Sequence, residues 1–428
     1  MILRRRVRPE DASDPYPLLE FDVPEGMRRL EVSYRYDRSS GAVIDLGAVD
    51  PRGASFPGFP GFRGWSGGFR DRFVITERGA TPGYLPGAIQ PGRWAVLLGL
   101  YKIPAEGVEV EVEIATGRDP GPSPHPLPAP ASPPAARPAG WFRGELHSHT
   151  HHSDAPGSLE ALVEEAREKG LDFLAVTDHN TGSHLPHLAS CPDDLLLVPG
   201  VEITTYRGHL NAWGLDRAVD FRCRTADDMA AVIASIHEQG GICSVSHPVA
   251  PSLEWNFGYD LPIDGIEVWH GPTGDFNAVT LDHWEELLRE GRRLTAFGGS
   301  DHHKGNDDIF ALPTVWVRAT ELRLPALLDG LRAGRVILTA QGFAPVELEV
   351  WHGSRIYGPG ETAPGERVEV RCGGGMRGYE VRLMSALGQV QEGEIDLASH
   401  RYVRAEVRCK GDMPFPLMAL TNPVWAAG

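Results

Sequence analysis

The chain has 428 residues, more than one ordinary domain holds, so we expect two or three domains. Hydrophobic residues make up 41% of the chain and the net charge is −17, which is typical of a soluble globular protein and excludes binding of duplex nucleic acid through bulk electrostatics. No apolar run reaches the length of a membrane span, and no apolar region follows the basic start, so we expect neither a membrane segment nor a signal peptide.

Residues 1–118 predict an N-terminal β-sandwich. The segments LEVSYRYD, AVIDLGAV, RWAVLLGLY and GVEVEVEIA have the composition of strands, and Gly-Pro stretches such as FPGFPGFRGWSGG predict turns between them. The aromatic side chains Trp65, Tyr84 and Trp94 have two interpretations. They fill a small core, which we favour, or they bind a ligand or a partner subunit, so a homo-oligomer remains open.

A Pro-rich linker, residues 119–140, follows the sandwich and predicts an extended, semi-rigid domain boundary. We assign no role to His125 within it. At the other end of the chain, residues 343–428 contain VELEVWHG, RVEVRCG, YEVRLMS and YVRAEVRC, and predict a C-terminal β-domain.

Between them, residues 141–342 alternate β and α patterns, which indicates a parallel barrel or an open α/β sheet. Ser158 is a candidate N-cap for a helix that Gly170 ends, and Thr225 with Asp228 forms a capping pair for the next helix. A further helix is predicted near residues 324–332. The five cysteines of the chain lie far apart and form no CxxC pair, so we expect free thiols in a cytoplasmic protein.

Residues 144–154, GELHSHTHHSD, hold four histidines and one aspartate within eight residues. Alternate side chains of a strand face the same side, so His147 and His149 point together. Two neutral imidazoles with a carboxylate nearby suit a divalent transition metal. The other interpretation is a surface histidine cluster. We disfavour it because the segment is internal and leads directly into a helix.

Fourteen of the 17 histidines lie within residues 147–303, and several of them, with carboxylates, follow predicted strands. The C-terminal ends of parallel strands converge on one face, so these side chains should meet in one pocket. Imidazole and carboxylate together favour several Zn²⁺, Mn²⁺ or Fe²⁺ ions rather than Ca²⁺ or Mg²⁺. Besides the first cluster, the candidates are His179, Glu202, His209, His247, Asp301 and His303.

The motifs in this order resemble the PHP family, the polymerase and histidinol phosphatase metallohydrolases. The resemblance covers about residues 144–340 and rests on HxHxxxSD, TDH, PGVE, GH, SHP and SDxH. The flanking GWSGG, ATPGYLPG and TNP segments resemble the CehA/McbA-like subgroup. The resemblance implies an α/β fold in which a distorted seven-stranded (β/α) barrel is flanked by N-terminal and C-terminal β-sandwich-like domains.

The resemblance also implies three divalent metal ions. The first site would use His147, His149, Glu202 and Asp301. The second would use Asp154, His179 and His303, and the third would share Glu202 and add His209 and His247. Some family members have histidine where this chain has Asp154, and a carboxylate there would suit a harder metal.

The activity that follows is phosphoester hydrolysis, in which a metal-bridging hydroxide attacks phosphorus in a small phosphate ester or nucleotide. Asp301 or a nearby histidine would protonate the leaving oxygen. Arg207 and Lys304 would hold phosphate oxygens, unless they are only solvated loop charges. The remaining candidates have supporting roles: Asp178 would orient ligands, and His302, His270 and one of His151 and His152 would contact substrate.

Two other functions remain open. One is hydrolysis of carboxyl or carbamate esters, as in the CehA-like subgroup, for which an apolar pocket is needed. Trp213, Trp255, Phe257 and Trp269 near the strand ends are its candidate lining. The other is a metal-stabilised binding protein without turnover, whose β-domains bind a glycan or a partner.

Overall fold

The computed structural model describes residues 1–128, 137–189, 194–303, 309–373, 378–410 and 416–428. The N-terminal part is built from two four-stranded antiparallel sheets, with the orders β1-β8-β3-β6 and β2-β7-β4-β5. The strands are β1 (Ile2–Val7), β2 (Leu18–Val23), β3 (Arg29–Tyr36), β4 (Val43–Val49), β5 (Phe62–Gly67), β6 (Arg72–Thr76), β7 (Gly92–Lys102) and β8 (Val108–Gly117).

The apolar side chains between these two sheets form a core of their own, to which Tyr84 and Trp94 belong. The strands expected from LEVSYRYD, AVIDLGAV, RWAVLLGLY and GVEVEVEIA are confirmed as β3, β4, β7 and β8. The turns expected through FPGFPGFRGWSGG were wrong in part, because β5 lies there. Gly64 in β5 has φ +126°, and a Cβ on it would lie 2.4 Å from the Gly83 carbonyl oxygen. Gly64 therefore allows the backbone of β5 to approach that of Gly83 closely, and it does not form a turn.

The α/β region begins at β9 and contains five of the six α-helices among the described residues, and the sixth lies in the C-terminal part. In chain order its elements are β9 (Pro138–Glu145), α1 (Leu159–Glu168), β10 (Phe173–Val176), α2 (Leu185–Leu188), β11 (Leu196–Thr205), β12 (Gly208–Trp213), α3 (Ala226–Glu238), β13 (Ile242–Ser246), β14 (Gly265–His270), α4 (Gly274–Arg289), β15 (Thr295–Gly299), β16 (Thr314–Glu321), α5 (Leu324–Arg332) and β17 (Val336–Thr339).

Strands β15 to β9 lie side by side in the order β15-β14-β13-β12-β11-β10-β9, followed by β16 and β17. The pairs β9–β10, β10–β11, β13–β14 and β14–β15 are parallel, whereas β12 is antiparallel to both neighbours. His209 therefore lies on a strand and not in a loop after one. An isolated parallel bridge joins Ser148 to His302, just past the ends of β9 and β15. Closure into a seven-stranded barrel stays a prediction.

The local helix signals of the sequence are confirmed. The Ser158 hydroxyl accepts a hydrogen bond from the Ala161 amide at the start of α1, and Gly170 after it has φ +64°. The Thr225 hydroxyl accepts from the Asp228 amide while the Asp228 carboxylate accepts from the Thr225 amide, which is a capping box. Helix α5 spans the predicted residues 324–332.

The C-terminal part continues the sheet of the α/β region, because β26 pairs with β17. Its strands β25, β22 and β23 follow in the same sheet, and a separate four-stranded sheet has the order β19-β18-β21-β24. The elements are β18 (Leu348–His352), β19 (Arg355–Tyr357), β20 (Thr362–Ala363), β21 (Arg367–Cys372), β22 (Tyr379–Ser385), β23 (Gly388–Val390), β24 (Gly393–Asp396), α6 (Leu397–His400), β25 (Tyr402–Cys409), β26 (Leu417–Thr421) and β27 (Val424–Ala426).

Two global expectations can be checked on the described residues. No helix among them is long and apolar enough to cross a membrane. The cysteines Cys223, Cys243, Cys372 and Cys409 are free, and Cys191 lies outside the described residues.

Candidate metal centre

The loop after β9 brings His147 and His149 against Glu202 of β11 and Asp301 after β15. The Nε2 atom of His147 lies 3.3 Å from Glu202 Oε2 and 3.3 Å from Asp301 Oδ1. The Nε2 atom of His149 lies 2.9 Å from Asp301 Oδ1 and 3.5 Å from Glu202 Oε2. These four side chains form one group of potential metal ligands.

A second group lies beside it and also includes His149. Asp154 Oδ1 is 3.1 Å from His303 Nε2 and 3.5 Å from His179 Nε2. The His149 ring stacks on those of His179 and His303, with ring centroids 4.2 and 4.3 Å apart. The parallel strands place these side chains together, since they follow β9, β10 and β15.

The third group uses the other carboxylate oxygen of Glu202. Glu202 Oε1 lies 3.1 Å from His209 Nδ1 on β12 and 3.2 Å from His247 Nε2 after β13. Glu202 is fully buried, and its two oxygens face different groups. The nine side chains that the sequence singled out as ligands are thus brought together as three overlapping groups.

The donor atoms of the first group suit a divalent cation. Metal–ligand distances of about 2.1 Å place neighbouring ligand atoms about 3.0–3.5 Å apart in tetrahedral or octahedral sites, which matches the separations in this group. Among the described residues, four of its buried atoms have no hydrogen-bond partner: His147 Nε2, His149 Nε2, Glu202 Oε2 and Asp301 Oδ1. Buried polar atoms seldom lack a partner, and a cation would supply one here.

Charges within the cluster shift the pKa values of its members. Burial would lower the pKa of His179, but the carboxylates of Asp154 and Glu202 outweigh burial and raise it to about 9. Burial would raise the pKa of Glu202, but His147 and His179 hold it well below its usual range. In the metal-free protein the cluster therefore carries protons that a metal ion must displace, so metal affinity should rise with pH.

Three residues at the rim of the cluster have left-handed backbone conformations that are unusual for side-chain-bearing residues. The φ angles are +54° at Asn180, +29° at His247 and +52° at Asp301. Asn180 follows the C-terminal end of β10, His247 follows that of β13, and Asp301 follows that of β15. Strained backbone of this kind persists where the surroundings impose it, and it is common at functional sites.

Two buried carboxylates support the cluster, and the sequence analysis missed both. Glu267 on β14 contacts His147 Nδ1 at 2.9 Å and accepts from the His247 amide. Glu145 at the end of β9 accepts from the amides of His147, Ser300 and Ala311. The available signal was a lone charged residue inside an otherwise apolar strand, as in GIEVW, because such a charge needs buried partners.

Four other predicted site residues lie elsewhere. The Asp178 carboxylate accepts from the amides and hydroxyls of Thr150 and Ser153, so it shapes the loop that presents Asp154. His302 contacts Glu165 through Nε2 at 2.9 Å. The Arg207 guanidinium donates to two backbone carbonyls and stacks over a phenylalanine ring. Lys304 lies outside the described residues. The structure does not bring the side chains of Asp178, His302 or Arg207 into the ligand groups.

His270, in contrast, lies next to the first group. Its Nε2 atom is 3.9 Å from Asp301 Oδ2, and its Nδ1 atom is 3.2 Å from Glu267 Oε2. Burial would lower the pKa of His270, but the charge of Glu267 outweighs burial and raises it. An imidazolium here would stand directly behind Asp301.

Residues 145–241 match the family model of the PHP domain. The chain contains a PHP domain. Most of the clustered histidines and Glu202 lie within the matched residues, whereas His247, Asp301 and His303 follow them. The domain supports assignment of the protein as a hydrolase. The predicted resemblance is confirmed at the level of the domain, and membership of the CehA/McbA-like subgroup stays a prediction.

Individual relatives cover different parts of the chain. An uncharacterized protein of Methanocaldococcus jannaschii is 28% identical over 143 residues, which are 30% of this chain and 81% of that protein. The 5'-3' exoribonuclease Rnm of Salmonella typhimurium is 42% identical over 65 residues, only 14% of this chain and 22% of that enzyme. A two-domain protein of Bacteroides vulgatus, containing a predicted PHP-like metal-dependent phosphoesterase, aligns with 16% identity and a TM-score of 0.40 over 69% of this chain and 98% of that chain.

A cavity of about 420 Å³ opens onto the ligand groups of the PHP domain. One wall is formed by the α/β region and reaches from Asp154 and His179 to Asp301 and His303. The opposite wall belongs to the N-terminal sandwich. It consists of Tyr16, Asp45, Trp65, Ser66, Gly67, Gly68, Phe69 and Tyr101. The pocket is therefore a joint product of two regions that the sequence presents as separate domains.

Tyr84 and Trp94 lie in the sandwich core as expected, but Trp65 does not. Trp65 packs against Phe221 of the α/β region, with ring centroids 4.7 Å apart, and faces the pocket rather than the sandwich core. The four aromatic residues expected to line an ester-hydrolase pocket are instead buried in the main core and are absent from the described lining of this cavity: Trp213, Trp255, Phe257 and Trp269.

Asp45 is the one carboxylate that the sandwich contributes to the described lining of this pocket. Its Oδ2 atom accepts a hydrogen bond of 2.7 Å from the Tyr206 hydroxyl of the PHP domain. Burial raises the pKa of Asp45 from its usual 3.8 to about 6, although the Tyr206 hydrogen bond opposes the shift. Ionisation of Asp45 therefore costs folding free energy at neutral pH.

We expect Asp45→Asn to stabilise the fold at pH 8 and to have little effect at pH 4. Between the unfolded and folded pKa values only the folded state holds the proton, so the wild-type free energy of unfolding falls as pH rises through this window. The shift from 3.8 to about 6 limits the gain to about 3 kcal/mol. Urea unfolding of both proteins from pH 4 to pH 8 measures it. A constant difference between them across this range would contradict the assignment.

Proposed function

We propose that this protein is a metal-dependent phosphoesterase that hydrolyses a small phosphate ester or a nucleotide with three divalent ions, Zn²⁺, Mn²⁺ or Fe²⁺. The observation that supports it is the set of three overlapping ligand groups, joined by Glu202 and His149, beside a cavity of about 420 Å³. A structural metal site has no need of such a cavity, since all its ligands come from the protein.

The residues that would hold the ions are those of the three groups. When bound, the ions would neutralise phosphate charge and lower the pKa of a bound water toward 7. The described lining of the cavity contains no Lys or Arg, so within those residues the protein itself offers no cation for a phosphate. Substrate affinity should therefore depend on metal loading, which is the behaviour expected of a phosphoesterase with this lining.

Asp301 and His270 suit the proton transfer to the leaving oxygen. Asp301 lines the cavity, and its Oδ2 atom faces His270 Nε2 at 3.9 Å. The charge of Glu267 outweighs burial and raises the pKa of His270, which favours the protonated ring. We assign Asp301 Oδ2 as the atom that passes this proton to the leaving group.

The aromatic part of the cavity lining suits a flat, apolar leaving group such as an aromatic ring or a nucleobase. The Tyr101 and Tyr206 rings lie 5.2 Å apart, and the Tyr16 ring stacks on Tyr206 at 5.5 Å. All three line the cavity together with Trp65. Stacking of a base on an aromatic side chain is worth about 1–3 kcal/mol.

We therefore expect Tyr101→Ala to raise KM for aryl phosphates and nucleotides about 5- to 100-fold with little change in kcat. Tyr101 is 47% exposed, so its removal should not disturb the core. Alkyl phosphate esters, which cannot stack, should show an unchanged KM. Phe276→Ala is the matched control, since Phe276 is an exposed aromatic residue outside the cavity lining. An equal loss for alkyl and aryl esters would contradict the stacking wall.

The function is tested by turnover and metal content measured on the same protein sample. Bis-p-nitrophenyl phosphate, p-nitrophenyl phosphate and p-nitrophenyl acetate are run in parallel on the wild type and on His179→Ala. His352→Ala, in the C-terminal part, serves as a control that also removes one imidazole. We expect phosphoester turnover that needs two to three metal ions per chain and is lost in His179→Ala alone.

Other outcomes would overturn the proposal in distinct ways. Cleavage of the acetate alone would indicate an ester hydrolase. Metal binding without turnover of any ester, and a His179→Ala variant that loses only stability, would indicate a metal-stabilised binding protein. A protein that takes up no metal after reconstitution would contradict the ligand assignment.

A further inference from the structure

Four histidines form a separate cluster on the other side of the loop that carries His149. His151 and His152 come from this loop, His125 from the segment after the sandwich, and His187 from α2. None of the four is among the described residues that line the cavity, and none belongs to the three ligand groups described above. The sequence predicted that His151 or His152 contacts substrate, but neither is among the described residues that line the cavity.

Three of these side chains have the spacing of metal ligands. One ring nitrogen from each of His125, His151 and His152 lies within 4.8 Å of the others. The ring centroids are 5.1 Å apart for His125 and His151, 5.0 Å for His125 and His152, and 4.9 Å for His151 and His152. The His187 ring stacks on His125 at 4.3 Å and holds that ring in place.

Two nitrogens in this cluster are buried without a hydrogen-bond partner in the described structure: His125 Nε2 and His152 Nε2. His152 is only 1% exposed, so solvent does not reach its ring readily. Its other nitrogen, Nδ1, contacts the Ser183 hydroxyl at 2.7 Å, which orients the ring. Metal-binding histidines typically have one ring nitrogen fixed by a hydrogen bond and the other free to bind the ion. Nδ1 and Nε2 of His152 have this arrangement.

The segment that carries His125 is held closely against the sandwich. Gly79 pairs with Pro126, and a Cβ on Gly79 would lie 2.4 Å from the Pro124 carbonyl oxygen. His125 itself has φ +40°, a left-handed conformation that costs free energy in a residue with a side chain. This backbone turns the ring toward the loop of His151 and His152 instead of toward solvent.

Electrostatics permit a cation at this place. Burial and the neighbouring His125 lower the pKa of His187 to about 4, and burial lowers the pKa of His125 below its usual value, so both rings are neutral at pH 7. The carboxylate of Glu160 on α1 acts on both rings in the opposite direction, which shows that a negative charge lies close. Neutral imidazoles near a carboxylate favour a bound divalent ion.

We propose that His125, His151 and His152 bind one further transition-metal ion, separate from the PHP centre. An all-imidazole ligand set favours Zn²⁺ over Mg²⁺, Ca²⁺ or Mn²⁺. Such an ion would connect the segment after the sandwich to the loop of His149 and Asp154, and so would hold the sandwich wall of the pocket against the PHP domain. The site would be structural, and it does not depend on the proposed phosphoesterase activity.

The test is metal stoichiometry of the full chain. Protein stripped with a chelator is dialysed against Zn²⁺ and, in parallel, against Co²⁺, and metal per chain is measured by mass spectrometry. The wild type is compared with His125→Asn, in which asparagine tolerates the left-handed backbone. His352→Asn is the matched control, because it removes an imidazole of the C-terminal part. We expect one ion fewer per chain in His125→Asn than in the wild type and in the control.

Two further measurements distinguish loss of this metal ion from a loss of stability and from a change at the PHP centre. Thermal unfolding of the metal-free wild type and His125→Asn should agree, whereas added Zn²⁺ should stabilise the wild type more. The Co²⁺ difference spectrum of wild type minus His125→Asn should persist when both carry Glu202→Gln, which damages only the PHP centre. Equal metal content in the wild type and His125→Asn, or a difference that disappears with Glu202→Gln, would overturn the proposal.

Discussion

Replacement of Glu202 by glutamine should lower phosphoester turnover by about 10³-fold or more, equivalent to about 4 kcal/mol of transition-state stabilisation. Glu202 is fully buried, and its two oxygens lie within 3.5 Å of nitrogens from five histidines. An amide is neutral and offers one oxygen, so at least two ligand groups would be impaired at once. The expected result is loss of metal ions together with loss of turnover.

Turnover and metal content are measured in parallel over a range of metal concentrations. Glu394→Gln is the control, since Glu394 is an exposed glutamate of the C-terminal part. Circular dichroism of the metal-free proteins checks that the fold is kept. Wild-type turnover of Glu202→Gln at saturating metal would show that Glu202 is not a shared ligand, and would remove the main support for three ions.

The second large effect concerns stability at the junction of the α/β region with the C-terminal part. Arg404 on β25 is 1% exposed and donates to Glu285 of α4, with Nε 2.7 Å from Glu285 Oε2, and to Glu406 with Nη1 2.6 Å from Oε1. The Tyr402 hydroxyl donates to the other oxygen of Glu285 at 2.6 Å. Arg404→Ala would remove the buried cation that Glu285 and Glu406 share, and would leave them only the less buried Arg289 and Arg408. Loss of one partner of a buried ion pair typically costs about 3–5 kcal/mol.

The measurement is the urea midpoint of Arg404→Ala against Arg382→Ala. The Arg382–Glu380 ion pair is partly exposed, with side-chain exposures of 37% and 41%, so it should contribute little. The pH dependence gives a second signature. Burial would raise the pKa of Glu406, but Arg404 and Arg408 lower it below its usual 4.5. This contribution is therefore present above about pH 4.5 and is lost at lower pH, and it should shrink in Arg404→Ala. Equal midpoints for the two variants would contradict a stabilising junction.

The clustering of the candidate ligand residues was predictable because parallel strands have a simple geometry. His179, Glu202 and Asp301 come from distant positions in the sequence, yet each lies at or after the C-terminal part of a strand in one sheet. Those strand ends meet at one edge, so chain order alone places their side chains together. Helix starts at Ser158 and Thr225 were equally accessible, since a cap depends on residues only three positions apart.

Side-chain roles that depend on distant packing were not predictable in this way. Arg207 is next to the ligand His209 in sequence, but its guanidinium points to backbone carbonyls of two other loops. Asp178 adjoins His179, but it faces the opposite direction because successive residues of an extended chain alternate in direction. Adjacency in sequence therefore did not predict which of these charges would reach the pocket.

The sequence alone was enough to predict a PHP domain with a cluster of imidazole and carboxylate side chains, because both depend on motif order and on strand ends that meet. Only the tertiary structure decided that Tyr101 and Trp65 of the sandwich complete the pocket, that Glu267 supports His147, and that His125 reaches the loop of His151. These contacts join segments with no fixed spacing in the chain. They arise from the packing of one region against another, which no local pattern of residues encodes.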